Sequence, residues 1–505
     1  MSPFLQGTSK HLAVPRLSIG AGGQKTLTLD PAASIIGLHT IHGASWISGR
    51  EDVMAAKTLS LGTKLGFGVC DLGGNLFFTI MGFYLLNFMT DVIGLGAALA
   101  GSAWLIGKVC DAITDPTVGY LSDRTKSRMG RRRPWMFWGA IFLFFTMILQ
   151  YTTPQMHSQL WLFLWMAIAY CLLTTAYTMV NIPYGSLTPE LTQDFDERTV
   201  LNAFRMSFAV AGTFIGALLV PTVVGLFPSV RAGWTGMAGI MGAIMTVSAL
   251  ITVFTVKEPP RAEAEAKEQA GFLKTYSAAL GNKPFLLVAF TYALHICGTI
   301  IVQSSLIYYF KYIYGGHASL ELALALLLVP VIPSIWIWSA VSKRIGKKWA
   351  WNIGMGLVVL AVAAIFLFAR EAGPPFFYVV MAVAGIGLAT NYVMPYAVIP
   401  DTVELDYATN GVRREGAFYG LFNFMNKGGA ALANLISGVV LSVFGYVANV
   451  DQTETSKLGI QLLVGPIGGL FFLAGIIVFA FYPITRAYYD KEILPKVAQW
   501  DRKKA

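Results

Sequence analysis

LGAALAGSAWLIGKVCDAITDPTVGYLSDRTKSRMGRRRPW, residues 95–135, decides the fold. Its first part, 95–121, is an apolar run long enough as a helix to cross a hydrocarbon core of roughly 30 Å. Arg124, Lys126, Arg128, Arg131, Arg132 and Arg133 then crowd into the exit. Working outward, the same alternation of apolar run and polar or Gly/Pro punctuation recurs along the chain. It predicts twelve spans: 63–89, 95–121, 134–152, 160–186, 200–228, 232–256, 284–311, 318–341, 349–370, 375–400, 416–446 and 459–483. With 55% hydrophobic and 13% charged residues, the chain has about half the charge of an ordinary soluble domain, too little to clothe a soluble surface. The expected fold class is an all-α membrane protein of twelve transmembrane helices in two six-helix bundles.

The net charge of +10 does not point to nucleic acid, because the bases lie in short loops between apolar runs rather than on one folded face. Lys343, Arg344, Lys347 and Lys348 follow the eighth span as the first basic cluster follows the second, whereas Thr90–Gly94 and Thr153–Gln159 have no Lys or Arg. The positive-inside rule then places the even loops and both termini in the cytoplasm of a cell bounded by this (plasma) membrane. Ser122-Asp123-Arg124 through Gly130-Arg131-Arg132 is echoed by Ser342-Lys343-Arg344 and Gly346-Lys347-Lys348, the trace expected of a duplicated six-helix unit. The expected organisation is a disordered extension over 1–53, a six-helix bundle over 54–256, a cytoplasmic central loop over 257–283, a second bundle over 284–483 and a cytoplasmic tail over 484–505. Met54, directly before the first amphiphilic stretch, is a candidate translation start. Cys70, Cys110, Cys171 and Cys297 all lie in apolar runs without metal-ligand spacing and read as small hydrophobes.

A carboxylate at the centre of a span costs about 2.5 to 3.5 kcal/mol on insertion scales, so the few buried charges need a reason. Asp111 and Asp115 stand at i and i+4 and project from one helix face. Two such carboxylates must share a cation, a proton or a basic partner. Asp71, Asn75, Asp111, Thr114 and Asp115 supply the oxygens that a hard monovalent cation wants. The alternative is a structural salt bridge to Lys427 or to Lys108. Arg205 stands near the start of span 5, where it can snorkel to water; Lys427 lies too deep in span 11 for that and calls for an internal partner. Tyr184 and Tyr392, inside spans 4 and 10, are placed to stack on a ligand. His295 is the one histidine clearly inside a span, so no constellation for an enzyme emerges.

Gly66-Phe67-Gly68 with Asp71, Gly74 and Asn75, then Thr90-Asp91-Val92, Asp111-Ala112-Ile113-Thr114-Asp115-Pro116 and Gly130-Arg131-Arg132-Arg133-Pro134-Trp135 form a linked set of motifs. Asn181-Ile182-Pro183-Tyr184, Glu197-Arg198-Thr199 with Arg205, Asn282-Lys283-Pro284, Arg413-Arg414-Glu415-Gly416 and Lys427-Gly428-Gly429 extend it. Together, over roughly 64–490, they resemble the glycoside-pentoside-hexuronide:cation symporters, the melibiose permease group of the major facilitator superfamily. The resemblance implies alternating access, a coupling cation (Na+ or H+, or Li+) at Asp111 and Asp115, and a charge partner in Lys427. It places Asp71 or Asn75 and Arg205 on the sugar side. The chain departs from melibiose permease at Asn181 and Gly185, where that protein has an aspartate and a tryptophan, and at Asn75, so a melibiose-type galactoside does not follow. The Na+-dependent lysophosphatidylcholine symporters share the Asp111 to Asp115 block, which makes a lysolipid the competing solute.

The expected function is therefore cation-coupled import of a sugar or glycoside by a monomer, without a further cofactor or metal. Cation-binding candidates are Asp111, Asp115, Asn75 and Thr114. Substrate-binding candidates are Asp71, Asn181, Tyr184, Arg205, Tyr392 and Asn423, with Lys427 as coupling partner. Asp123, Arg124, Arg131, Glu197, Asp401 and Arg413 are candidates for a cytoplasmic gate whose salt bridges latch the outward-facing state.

Overall fold

The computed structural model describes residues 59–504 apart from 153–156, 193–194, 259–276, 278 and 413. The expectations for 1–53, for most of the central loop and for Arg413 lie outside the described residues. What is described is almost entirely helical. Helix α1 spans Leu61–Leu85 and continues through a π turn at Phe88–Val92. It is followed by α2 (Ala97–Arg124), α3 (Arg133–Tyr151), α4 (Gln159–Leu191) and α5, which runs from Phe195 through a π turn at Ile215–Leu219 to Gly225. Helix α6 is Val230–Thr255, α7 is Lys283–Ile313 and α8 is Leu320–Ile345. A single 64-residue helical stretch, Lys347–Asn410, holds two spans. Gly373, at φ 77°, breaks it just before Pro374 and Pro375, leaving α9 (347–372) and α10 (374–410). The break is local chemistry: glycine tolerates the positive φ, and the prolines cannot carry the hydrogen-bond ladder across it. Helices α11 (Glu415–Val443) and α12 (Glu454–Ala480) complete twelve spans.

The helix starts are set by side-chain caps. Ser60, Ser229, Asn282, Ser319 and Thr453 each accept a hydrogen bond from the backbone N–H three residues on. Large apolar side chains face outward along the spans, among them Phe145 (62% exposed), Leu360 (67%) and Val379 (65%), the surface a lipid solvent accepts and water does not. The chain is a multi-pass membrane protein.

Helix packing separates α1–α6 from α7–α12. In the first set α4 packs on α2 and α3, α6 on α3 and α1, and α5 on α1; in the second α7 packs on α11 and α12, and α9/α10 on α8 and α12. Across the sets α2 meets α11, α1 meets α7, and α5 meets α8. Exchanging each helix for the one six places away converts the α2/α11 contact into α8/α5, so the pattern carries the duplication seen in the basic exits. The α2/α11 seam is close: a Cβ on Gly101 would stand 2.6 Å from the Asn434 carbonyl oxygen, and one on Gly438 would stand 2.3 Å from that of Ala97.

Candidate functional site

Asp111 and Asp115 do share one face of α2, and that face turns toward α4 and α11. Lys427 of α11 lies 3.0 Å from Asp111 Oδ2 and also pairs with Asp115 Oδ2. Thr178 Oγ1 of α4 lies 3.0 Å from Oδ1 of each carboxylate. On the other side, Lys108 Nζ lies 3.6 Å from Asp111 Oδ2 and rests over the rings of Phe78 and Trp104, each 5.9 Å away. Both lysines proposed as alternative partners are therefore present together. Two carboxylates, two ammonium groups and a hydroxyl meet where the two helix sets touch.

Asn75 and Thr114 are engaged elsewhere. The Asn75 amide donates to the Asp71 carbonyl at 2.9 Å, and the Thr114 hydroxyl donates to the Asp111 carbonyl at 3.3 Å. The hydroxyl that meets the carboxylate pair is that of Thr178, which the sequence reading did not select. One threonine in an apolar helix gives no signal until the register of α4 against α2 is known.

The second cluster joins α1, α4 and α5. Arg205 Nε donates to Asp71 Oδ2 at 2.6 Å, and Nη2 reaches Oδ1 at 3.4 Å. Arg205 also donates to the Thr188 hydroxyl at 3.1 Å. Arg205 therefore does not snorkel: its side chain is inward and paired. Tyr184 OH donates to the same carboxylate at 2.5 Å, and its ring packs on Phe67 with centroids 4.6 Å apart. Tyr184 is 1% exposed and fixes Asp71 and Arg205, and it also lines a small cleft. That cleft is lined as well by Asp71, Gly74, Tyr177 and Asn181.

Tyr177 stands between the two clusters. Its ring stacks on Phe77 at 4.2 Å, and it lines the cleft together with Asp71. Its neighbour Thr178 holds the carboxylate pair, so one turn of α4 touches both clusters. From the opposite helix set, Tyr392 and Tyr396 of α10 are 54% and 52% exposed. Asn423 is exposed one turn before Lys427 on α11.

The two sets are tied together at the end opposite the basic loops, around a residue that was quoted in a motif but not selected. Asp91 accepts hydrogen bonds from Lys311 Nζ and Tyr312 OH, both at 2.6 Å, and from Tyr446 OH. Lys311 also donates to Asn449 Oδ1 at 2.7 Å, and Thr90 and Tyr308 share a hydrogen bond of 2.7 Å. Asp91 and Lys311 both sit on π turns, Phe88–Val92 and Tyr309–Ile313, at corresponding ends of α1 and α7. The available signal was a carboxylate and a lysine at equivalent ends of two apolar runs.

At the basic end, several gate candidates have partners within their own helix sets. Arg132 pairs with Asp123 at 2.9 Å and Glu190 at 2.8 Å, and Lys64 with Glu197 at 3.0 Å. Lys347 pairs with Asp401 at 2.7 Å, and Arg124 lies against Tyr120 of its own helix. Arg131 pairs with Glu190 at 2.5 Å and with Glu258 at 3.0 Å. Partial burial works against its charge, yet the hydrogen bonds and charges of Glu190 and Glu258 hold its pKa above the usual guanidinium value.

Residues 66–486 match the family described as MFS/sugar transport protein. The uncharacterized symporter sll1374 of Synechocystis sp. is 30% identical, with 86% of this chain and 96% of that protein covered. The glucuronide carrier protein homolog of Escherichia coli K12 is 28% identical over 89% of this chain and 97% of its own length. Among solved structures, a bacterial homolog of the human lysosomal transporter Spinster superposes with a TM-score of 0.61 at 14% identity, covering 84% of this chain and 98% of that one. The likeness to that structure is one of fold.

Proposed function

This chain belongs to the MFS/sugar transport protein family of symporters, and we propose that it couples the entry of a sugar or glycoside to that of a monovalent cation by alternating access. The observation that carries this reading is the meeting of Asp111, Asp115, Thr178 and Lys427 across α2, α4 and α11. In this geometry the Lys427 ammonium occupies the place of a coupling cation. A Na+, Li+ or H+ that reaches the carboxylates displaces it and loosens the tie between α2 and α11. Solute binds between Asp71, Arg205, Tyr177 and Asn181 on one side and Tyr392, Tyr396 and Asn423 on the other. Tyr177 and Thr178, adjacent on α4, link the two events, so each ligand binds more tightly when the other is present.

With the basic loops and both termini taken as cytoplasmic in the plasma membrane, the closed end around Asp91 supports reading this form as inward-facing. The gate candidates act when the molecule faces outward. Purified protein in proteoliposomes, offered a panel of radiolabelled glycosides, pentosides and uronides under imposed Na+, Li+ and pH gradients, tests the reading. Accumulation that collapses when the driving gradient is dissipated is the expected result. Equilibration without accumulation under every gradient would contradict it.

A further inference from the structure

One polar side chain is sealed in the seam between the two helix sets. Asn434 of α11 is fully buried, and among the described residues neither its amide oxygen nor its amide nitrogen has a hydrogen-bond partner. It stands two helical turns beyond Lys427 on the same face of α11, about 10 Å nearer the end closed around Asp91. Its backbone carbonyl is the atom that a Cβ on Gly101 would meet at 2.6 Å, and Gly438, one turn on, is set as closely against Ala97 of α2. The other pair that touches across the sets, α1 and α7, shows the same signature over this stretch: Asn87 Nδ2 and Ser305 Oγ also lack a partner, at 6% and 0% exposure. Asn87 lies one turn before Asp91, and Ser305 precedes Lys311 on α7. All three therefore fall between the Asp111–Lys427 cluster and the Asp91 tie.

A buried amide without a partner is costly, because its water has been stripped and not replaced. Leucine, which branches at the same carbon, would fill the place without that cost. The amide recovers its hydrogen bonds if it meets water at another point of the cycle. The seam supplies that point: opening the end around Asp91 parts α11 from α2 at Gly438 and Gly101, and so wets Asn434. Two side chains on one face of α11 then act in opposite directions. Lys427 favours contact with α2 through Asp111 and Asp115, and Asn434 disfavours it. A carrier needs such opposition, since a form favoured too strongly leaves the other too scarce to bind its ligand.

Resting on the alternating-access reading above, we propose that Asn434 sets the balance between the two faces of the carrier: its amide is unpaired while the Asp91 end is closed and hydrated when that end opens, which keeps the outward-facing form within reach of the incoming cation. It is a positioning residue, acting through the seam rather than on cation or solute.

The test needs no solute. Asn434→Cys, in intact cells producing the full chain, is exposed from outside to a membrane-impermeant methanethiosulfonate reagent, with the parent and its four native cysteines as background. Reaction above that background is expected, and faster reaction when Asp91→Asn is added. No reaction above background in either protein overturns the inference. Opening is then measured on purified protein with spin labels on Leu226 and Val447, both exposed. Adding Asn434→Leu to Asp91→Asn should lower the ratio of long to short distances about tenfold, the weight of one unpaired buried amide. A ratio that leucine leaves unchanged or raises overturns the inference, because a residue that only packs the seam has no reason to favour closure when made apolar. If Asp91→Asn alone produces no long distance, the thiol reaction decides by itself. Failure of the symport reading shows separately, as equilibration without gradient-driven accumulation by the parent.

Discussion

Thr178 has one hydroxyl proton and two carboxylates at 3.0 Å, so it can donate to only one of them at a time. The other then faces an oxygen lone pair, a repulsion that a metal cation or a proton between the two oxygens relieves. Thr178→Val keeps the shape and removes the oxygen. It should raise the cation concentration for half-maximal uptake about tenfold, as expected for a hydrogen bond or ligand contact to a charged group worth about 1.5–3 kcal/mol. A cation titration of uptake measures this, and an unchanged midpoint would remove Thr178 from the site. Arg205 works differently, because its planar fork reaches both Asp71 oxygens. Lysine cannot reproduce that geometry. Arg205→Lys should therefore cut solute uptake more than about tenfold while cation affinity, followed by calorimetry, stays within about twofold. Parallel loss of both would show that Arg205 serves the structure rather than the solute.

At the scale of the helix pair, the α2/α11 seam depends on two residues without side chains. Gly438→Val would drive a Cβ into the Ala97 carbonyl now 2.3 Å from its ideal position. Overpacking of this kind costs about 1–3 kcal/mol, and here it pushes apart the helices that bring Lys427 to Asp111. The variant should keep its helical circular dichroism and lose transport; full transport would mean that the seam opens without consequence. Much of this level was readable in the sequence. Twelve apolar runs became twelve spans, and the pause between 370 and 375 became the break at Gly373. The i, i+4 spacing placed Asp111 and Asp115 on one face because helical periodicity alone dictates it. What periodicity cannot give is the register of one helix against another. That is why Thr178 was missed, and why the hydrogen bonds of Asn75 and Thr114 to their own helix backbone could not be read from the sequence.

The whole molecule is described with one end shut, and the tie is concentrated on one carboxylate. Asp91 of α1 holds Lys311 and Tyr312 of α7 and Tyr446 beyond α11, so the outward-facing state requires these bonds to break together. Asp91→Asn removes the charge that Lys311 pairs with and should shift the population toward the outward-facing form. The Lys311 side chain is 41% exposed, so solvent screens the pair and its loss costs about 1 kcal/mol. Spin labels on the exposed Leu226 and Val447, with distances read by double electron–electron resonance, should show a longer component in Asp91→Asn that is absent from the parent; identical distributions would mean that closure is held elsewhere. The alternating access proposed above puts the decisive chemistry between the two ends, at the carboxylate pair that Lys427 now contacts. The most direct measurement is solute uptake into proteoliposomes by the parent, Asp111→Asn and Asp115→Asn proteins, comparing gradient-driven accumulation with solute exchange at equal cation on both sides. Accumulation should fall to the equilibrium level in both variants while exchange persists, and full cation-driven accumulation by either variant would contradict the assignment of the coupling cation to this pair.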